Sequence, residues 1–546
     1  MDLQTYLLEQ GNQLFGKRSA LLTLWQELAD NFYPERADFT LSRNIGTDFA
    51  ANLMTSYPVM ARRDLGNAIS AILRPSGKKW VHIRTTENWD ELGTEAKAWL
   101  EWAEGRMARA MHHRTSQFSR ATKEGDHDYA TFGQCVIQVT MNPSATGLLY
   151  RCWHLRDVAW MEDESGAVST VYRQWKPTCR DLERIFGKDK LHQNVRTKLE
   201  KTPMDEIVVW HAVIPTEGCS YGKPTNAPFK SVYLDASNKH IIEEVGVYEQ
   251  EYVVPRWQTV SGSQYAYSPS TVVALPDARL IQAMTAVLLE AGEKAVTPPL
   301  IAVREAIRGD INVYAGGITF ADEEYDERLG EVLRPLTQDK TGIPLGLEMS
   351  QDTRTMIAEA FYLNKLTLPA QGQDMTAYEV GQRIQEYIRQ AMPLFEPMET
   401  EYNAPLCDIT FSKLLRAGAF GSPLDMPEEL RNQQVEFTFE SPLHDAADRE
   451  KGQRFIEASQ MLASAQALDP MSVYVVDAVV ALRDTLQAIG VPAKWTRSET
   501  AARDLADAQK QAMQQAQTLA TMQQGADVAA TLSNATKATS TPVQGL

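Results

Sequence analysis

A serine between two glycines is the first pattern in this chain that could do chemistry. Gly218-Cys219-Ser220-Tyr221-Gly222 matches G-x-S-x-G, which in hydrolases holds a nucleophilic serine on a sharp strand-to-helix turn. The next residues, 223–228, include two prolines and cannot begin the helix that this geometry requires. We therefore interpret the segment as a β-hairpin loop, and a serine hydrolase acting through Ser220 is kept as a remote alternative.

Two further patterns fall short of a phosphate or metal site. The segment Ser76-Gly77-Lys78-Lys79 lacks the first glycine and the hydroxyl residue of a phosphate-binding loop, which disfavours a packaging ATPase. Asp126-His127-Asp128 offers ligand atoms, but adjacent helical residues point in different directions, so a solvated helix face is favoured. We expect no metal, no cofactor and no enzymatic activity.

The composition is that of an acidic globular protein. The 546 residues carry a formal net charge of −17, and tight nucleic-acid wrapping would need many more Lys and Arg side chains against phosphates. Any contact with DNA should therefore be loose. The five cysteines never reach C-x-x-C spacing, which favours a reducing compartment. We find no signal peptide and no 18-residue apolar stretch, which predicts a soluble chain without a membrane partner.

The helical segment 106–123 is the most basic part of the chain. Its positive charge could contact a nucleic acid or a partner protein, although a solvent-exposed face with ion pairs is the favoured interpretation. Its basic residues are Arg106, Arg109, His112, His113, Arg114, Arg120 and Lys123.

Apolar periodicity predicts an α+β, mainly helical fold. Helices are expected at 3–32 (one or two helices), 59–73, 94–120, 180–186, 277–295, 352–363, from 376 onward, and within 446–468, 473–488 and 498–522. Strands are expected at 80–84, throughout an antiparallel region within 132–252, at 300–303 and 316–320, and at 435–439. The Ala/Gln-rich stretch 501–524 has few large apolar side chains and is too weak to form a core by itself.

Several short motifs, taken together, resemble one protein family. Val254-Pro255-Arg256-Trp257 matches P-x-R-W, Leu275-Pro276-Asp277 matches a helix start, and Lys294-Ala295-Val296-Thr297-Pro298-Pro299 matches K-A-V-x-P-P. This order of motifs resembles the head-to-tail connecting, or portal, proteins of short-tailed bacteriophages. Ala266 and Tyr267 replace the glycine and arginine of that family's Y-G-R-x-P. Further likenesses at 25, 32–36, 73–80, 132–133 and 375–379 extend the resemblance over roughly residues 1–440.

The resemblance implies a portal-type subunit that assembles into a twelve-membered ring at one capsid vertex of the virion, after synthesis in the host cytoplasm. Its implied parts are N-terminal helices and a β-rich wing (1–276), a first stem helix (277–296), a clip (297–349), a second stem helix (350–363), a tunnel loop (364–375), a long kinked helix with a return strand (376–445), crown or barrel helices (446–524) and a disordered tail (525–546).

The same resemblance implies where DNA and partner proteins would bind. The tunnel loop would place Asn364, Lys365, Gln371 and Gln373 beside double-stranded DNA, which passes without sequence-specific contacts. The clip would present Arg304, Glu305, Arg308, Asp322, Glu323 and Glu324 to the terminase motor and later to the tail adaptor. Further implied partners are the major capsid and scaffolding proteins. Another capsid or neck structural protein remains the alternative.

Overall fold

The computed structural model describes most of the chain up to residue 439 and parts of the remainder. The described residues are 2–42, 44, 46–75, 79–85, 92–142, 144, 147–219, 221–302, 307, 311, 333–335, 342–366, 396–422, 425–431, 433–439, 455–465, 477–488, 491, 495, 502, 504–505, 507–517 and 522. The chain forms two compact units. The first contains Met1–Trp80, Met107–Ala419 and Phe439–Ala446, and the second contains Val81–Arg106, Phe420–Thr438 and Ala447–Leu546.

The fold is α+β. The main helices are α1 (Leu3–Lys17), α2 (Ser19–Phe32), α3 (Tyr57–Leu73), α4 (Thr94–Met111), α5 (Phe118–Phe132), α6 (Cys179–Phe186), α7 (Gln193–Lys201), α8 (Pro269–Val296), α9 (Gly342–Ala360), α10 (Leu363–Leu366), α11 (Ala404–Arg416) and α12 (Ala478–Ala488), and a π-helix (Glu399–Asn403) precedes α11. The strands are β1 (Val81–Thr85), β2 (Ile137–Met141), β3 (Leu148–Cys152), β4 (Val158–Glu162), β5 (Val168–Trp175), β6 (Val209–Pro215), β7 (Phe229–Asp235), β8 (His240–Val247), β9 (Tyr252–Val253), β10 (Leu300–Ala302), β11 (Leu333–Pro335) and β12 (Val435–Phe439).

A five-stranded antiparallel sheet is the largest β part of the first unit, with strand order β4-β5-β6-β7-β8. Neighbouring strand residues point to opposite faces, so Trp210 packs with Leu3 and Leu7 of α1, whereas Val209 packs with Leu182 of α6. Helices therefore cover both faces of this sheet. A smaller sheet, β3-β2-β9, lies in the same unit.

The helix expected at 94–120 is two helices. Helix α4 ends at Met111, and α5 begins at Phe118 after Gln117, whose φ of 58° is in the left-handed region. The Ser116 hydroxyl donates to the backbone oxygens of Met111 and His113, which satisfies carbonyls that a continuing helix would have paired. Local hydrogen bonding of a serine thus interrupts a segment whose composition is helical.

Helices α8 and α9 begin earlier than the sequence predicts. Helix α8 starts at Pro269 and includes Pro276, although the expected start was Asp277, and its end at Val296 agrees with expectation. Helix α9 runs from Gly342 to Ala360, whereas the expected range was 352–363. A proline in the first turn costs little because the first N–H groups of a helix have no intrahelical partner, so Pro344 does not delay α9.

Several β elements agree closely with the predicted pattern, and a few elements were not predicted. Strands β3 and β12 have the expected bounds, and the region from 132 to 252 is antiparallel as expected. Strands β4 and β8 lie inside the predicted antiparallel region, whereas strand β11 and helix α7 were not predicted. Helix α7 has little apolar surface, with Val195 as its one fully buried side chain, so its sequence gives little helical periodicity.

The second unit pairs β1 with β12. The Ile83 N–H donates to Glu104 Oε1 at 2.9 Å, and the rings of Trp99 and Trp102 lie 6.3 and 6.4 Å from that of Phe420. Residues 455–465 and 507–517 are helical, within the predicted C-terminal helices.

Candidate functional site

A pair of packed helices leads into a closed insertion. Helices α8 and α9 pack against each other, and Gly346 of α9 lies so close to Leu288 of α8 that a side chain there would overlap it. Beyond them, β10 pairs with β11 in antiparallel register, with Leu300 opposite Pro335. At 1.5 Å per residue, the 28 residues of α8 extend about 42 Å. Within the first unit, the chain therefore runs to and from the β10–β11 pair along one long helical pair.

Much of the apolar surface of this pair is exposed. The exposed large apolar residues are Val272, Val273, Leu280, Val287, Leu289 and Val296 on α8, and Leu345, Leu347, Met349 and Met356 on α9. Val273, Leu280 and Val287 are seven residues apart and so lie on one side of α8. A continuous exposed apolar surface of this kind usually marks an interaction site in a soluble protein.

Helix α8 also corrects the expectation that no long apolar segment exists. Among the described residues it is the one helix whose length and composition would allow it to cross a membrane, and 22% of its most apolar window is buried. The earlier start of the helix adds Val272 and Val273 to the apolar stretch. A single helix of this kind is weak support for a membrane span, because helices of soluble proteins can share its composition.

The first turn of α8 is anchored in the interior of the first unit. The Ser268 hydroxyl caps the helix at Thr271 N and donates to the Ala130 backbone oxygen at 2.7 Å, and the Thr271 hydroxyl donates to the Thr131 oxygen at 2.7 Å. Gly133, with φ of 75°, touches the Tyr267–Ser268 backbone so closely that a Cβ would overlap it. Phe132-Gly133 and Ser268-Pro269 thus form one packed contact, which we call the joint.

Arg256, from the P-x-R-W motif, joins this joint to the π-helix. Its side chain is 8% exposed and donates to Glu401 at 3.2 Å, to the Glu162 carboxylate, and to the Gly166 oxygen at 2.9 Å. The neighbouring Trp257 N–H donates to the Gly133 oxygen at 2.7 Å. A bidentate guanidinium fixes both position and orientation of its carboxylates, so this motif is a structural clamp.

The turn that departs from the family pattern is buried. Ala266 is fully buried, and its N–H donates to Gln134 Oε1 at 2.9 Å. The Tyr265 ring packs against Trp25 and Trp160, with centroids 6.0 and 4.5 Å away. Ala266 and Tyr267 therefore belong to a packed turn.

The Asp126-His127-Asp128 triplet is not a solvated helix face, and that interpretation was wrong. Both carboxylates are fully buried. Asp126 is paired with Arg74, and Asp128 is paired with Arg36 at 2.7 Å. Arg74 also donates to Asn403 Oδ1 at 2.7 Å. Buried charges require such partners, and the triplet is a set of internal ion pairs.

The pKa values of these groups follow from their burial and neighbours. Burial alone would lower the pKa of the Arg74 guanidinium, but Asp126 more than offsets this and holds that pKa above its ordinary value. Burial and the adjacent Arg62 guanidinium, whose Nη1 lies 3.0 Å from His127 Nδ1, lower the pKa of His127 to about 4. His127 is therefore neutral near pH 7.

The π-helix supplies partners that the sequence did not reveal. Glu401, Tyr402 and Asn403 are consecutive, yet they contact Arg256, the Thr122 carbonyl and Arg74 respectively. A π-helical turn contains more residues than an α-helical turn and so changes the direction of the side chains after it, and such turns are frequent at functional sites. No signal in the sequence marks this change of helical period.

The structure describes few of the predicted DNA and clip residues. Asn364 and Lys365 lie in α10, a four-residue helix that follows Tyr362 with φ of 56°, so this part of the expected tunnel loop is helical. Gln371, Gln373 and the clip residues Arg304, Glu305, Arg308, Asp322, Glu323 and Glu324 lie outside the described residues, and their roles stay predictions.

The segment around the G-x-S-x-G match connects two neighbouring antiparallel strands. Ser220 lies outside the described residues, but β6 and β7 on either side are hydrogen-bonded partners. The hairpin interpretation is confirmed, because a nucleophile elbow needs a helix after the serine. Among the described residues, no group of three or more His, Cys, Asp or Glu side chains could hold a metal ion.

The described part of the first unit thus combines a buried joint with a long helical pair whose apolar surface is exposed. Residues 4–496 match the sequence model of the bacteriophage head to tail connecting proteins, and the chain belongs to this family. The chain is 26% identical over 454 residues to the "Probable portal protein" of Bordetella phage BPP-1, covering 81% of this chain and 79% of that protein. It is 23% identical over 433 residues to the "Portal protein" of Salmonella phage epsilon15, covering 77% and 76%.

Among solved structures, a chain of the "Virion of native gene transfer agent (GTA) particle" is 10% identical, with 79% of this chain and 94% of that chain covered. Its TM-score of 0.31 is too low to bear on the fold. The family and the two curated relatives support a portal function at the phage capsid vertex.

Proposed function

We propose that twelve copies of this chain form a ring at a single capsid vertex, through which double-stranded DNA is packaged and later ejected. The exposed apolar surface of the α8–α9 pair is the observation that carries this proposal. A cyclic arrangement lets each copy cover its neighbour without leaving an open end, which is the usual solution for a homo-oligomer.

Within the ring we propose that α8 and α9 are the stem, which shifts the stem boundaries to Pro269–Val296 and Gly342–Ala360. The clip would then occupy 297–341 and meet the terminase motor and the tail adaptor through Arg304, Glu305, Arg308, Asp322, Glu323 and Glu324. The wing would comprise 1–268, and 376–445 would return to it. The crown helices would occupy 446–524.

We propose that DNA moves through the channel with little friction. Each copy carries a formal charge of −17, so a ring of copies repels phosphate in most places. Lys365, with Asn364, Gln371 and Gln373, would make transient phosphate contacts beside the channel. The chain would act as a conduit without a catalytic role of its own.

Imaging the purified full-length chain tests the ring. We expect negative-stain particles with a central hole and a native mass near twelve copies, at low and high salt. A strict monomer at high protein concentration across the same salt range contradicts the proposal. A closed ring of another copy number corrects the stoichiometry alone, and an open filament favours a different neck or capsid component.

A Ser220→Ala variant tests the remote hydrolase. We expect unchanged ring formation and the same background ester hydrolysis as the parent chain. A loss of hydrolysis specific to this variant would contradict the absence of catalysis.

A further inference from the structure

One exposed surface of the first unit is strongly basic although the chain is acidic. We name it the basic corner, because it lies where the end of α4 meets the beginning of α5. No Asp or Glu occurs from residue 105 to residue 123, in a chain with 71 acidic residues. Its exposed basic residues are Arg109, His112, His113, Arg114, Arg120 and Lys123.

Carboxylates neutralise several exposed basic side chains elsewhere in the first unit. Examples are the pairs Lys188–Glu200 at 3.1 Å and Lys190–Glu243 at 2.6 Å. Within the basic corner, one carboxylate pairs with a basic side chain among the described residues. It is Glu124, 3.0 Å from Arg120, and the two side chains are 40% and 76% exposed. Such a pair is weak and easily screened, so the corner keeps a net positive charge.

The position of these charges on α5 is unfavourable for the isolated chain. Arg120 and Lys123 lie near the N-terminal end of α5, where the helix dipole already places positive charge, and the first turn has no acidic residue. Gln117, before the helix, makes no side-chain capping hydrogen bond. A negatively charged partner would remove this repulsion.

The surroundings favour DNA over a protein partner. The exposed residues between the charges, Thr115, Gln117 and Ser119, are polar, and no large exposed apolar side chain lies between residues 105 and 124. Protein interfaces have an apolar core, whereas interfaces with DNA are more polar and more positive. The basic side chains are spread along the surface and exposed to solvent, so each could contact a different phosphate of a DNA backbone.

We propose that the basic corner binds the phosphate backbone of double-stranded DNA without sequence specificity. The contact lies on a different element from the predicted tunnel loop, and it does not depend on the ring or on Lys365. Because the whole chain is acidic, the binding should be weak and strongly weakened by salt.

Fluorescence anisotropy with a labelled duplex of random sequence tests this surface in the full-length chain. The test variant combines Arg109→Ala, Arg114→Ala and Lys123→Ala. The matched control combines Arg180→Ala, Lys198→Ala and Lys201→Ala, which are exposed residues of α6 and α7 with the same loss of charge. A charge-conserving variant, Arg109→Lys with Arg114→Lys, checks that charge matters.

We expect the test variant to lose about tenfold or more in affinity at low salt. The slope of log affinity against log salt should fall by up to about 3, near 0.9 for each phosphate that the variant no longer neutralises. The control and the charge-conserving variant should bind like the parent, and a second, unrelated duplex should bind equally. Circular dichroism should be the same for all.

Two results would overturn the inference. One is a DNA affinity of the test variant that does not differ from that of the parent, or that falls no more than the affinity of the control variant. The other is a test variant that loses binding to poly-glutamate but keeps its affinity for DNA, which would assign the corner to an acidic protein. Rings that form normally but lack DNA affinity at this corner would refute this inference and leave the proposed ring intact.

Discussion

Arg36 and Asp128 form an ion pair inside the first unit, with Nη2 and Oδ2 2.7 Å apart and the Asp128 side chain 1% exposed. Cys152 Sγ lies 3.7 Å from the same carboxylate. Burial of the carboxylate is tolerated because the guanidinium contacts both of its oxygens, at 3.0 and 2.7 Å. Loss of the Asp128 charge leaves the half-buried Arg36 guanidinium without its carboxylate partner.

Asp128→Asn should therefore lower the free energy of unfolding by about 3 kcal/mol. Asp181→Asn is the control, since it removes an exposed pair with Arg184 and should cost less than about 1 kcal/mol. Chemical denaturation of both variants measures the difference. Similar costs for the two would show that the internal pair contributes no more than a surface pair.

Gly133 is the second residue on which the joint depends, for both its conformation and its lack of a side chain. Gly133→Ala should cost about 3 kcal/mol or more, because the new Cβ adds overlap with the Tyr267–Ser268 backbone to the strain of φ at 75°. Gly166→Ala is matched in φ, at 82°, with open space around it, and should cost about 1 kcal/mol. The difference between the thermal midpoints of the two variants measures the part of the destabilisation that is due to steric overlap. Equal decreases in the midpoint would argue against a close contact between Gly133 and the Tyr267–Ser268 backbone.

His127 makes stability depend on pH. Its pKa is about 4 in the folded chain, against an ordinary value near 6.5. Between these values the unfolded chain binds a proton that the folded chain does not, so the free energy of unfolding falls as pH falls from about 7 to about 4. Asp408 acts in the opposite direction, because burial raises its pKa to about 6.

His127→Gln keeps an acceptor for Arg62 but cannot titrate. We expect its thermal midpoint to fall less than that of the parent between pH 7.5 and pH 5, with Asp408 contributing equally to both. An equal fall in the two proteins would show that His127 remains unprotonated in the unfolded chain or protonates without cost in the folded one.

At the scale of elements, α8 combines a buried, hydrogen-bonded first turn with a largely exposed remainder. A proline in a helix interior removes a hydrogen bond and crowds the preceding turn. Pro276 is tolerated here, and the anchoring of Ser268 and Thr271 on α5 supplies compensating contacts upstream of it.

A double variant, Val287→Ser with Leu289→Ser, tests the role of the exposed apolar surface on two sides of α8. These side chains are 64% and 59% exposed, so the denaturation midpoint of the monomer should change little. The ring fraction in native mass spectra should fall strongly, because each apolar side chain buried at an interface contributes about 1.5–3 kcal/mol. Val245→Ser with Val260→Ser is the control, changing exposed valines elsewhere. Rings from both variants in parental yield would remove α8 from the interface.

At the scale of the whole molecule, the C-terminal part is expected to be peripheral to assembly. The stretch 501–524 is rich in Ala and Gln, and the exposed helical residues 507–517 within it include few large apolar side chains. Deletion of 501–546 should leave ring formation intact in negative-stain images. Failure of the truncated chain to assemble, with its circular dichroism unchanged, would place this region in the interface.

The sequence by itself determined the family, the α+β class, most helices, and the bounds of β3 and β12, because these depend on local periodicity and on motifs that are contiguous in the chain. It also argued against a nucleophile elbow at Ser220, since the prolines that follow act locally. The motifs around Arg256 and Gly133 were recognised from their letters alone, without any indication of what they contact.

Only the tertiary structure decided that Asp126 and Asp128 are internal, that α8 begins at Pro269, and that α4 and α5 are separate. Each outcome depends on partners distant in sequence or on a local hydrogen bond that competes with the helix: Arg74 and Arg36 for the carboxylates, Ala130 and Thr131 for α8, and Ser116 for the break. The free energy of burying a charge or starting a helix at a proline is set by these contacts, and a one-dimensional pattern contains no measure of them.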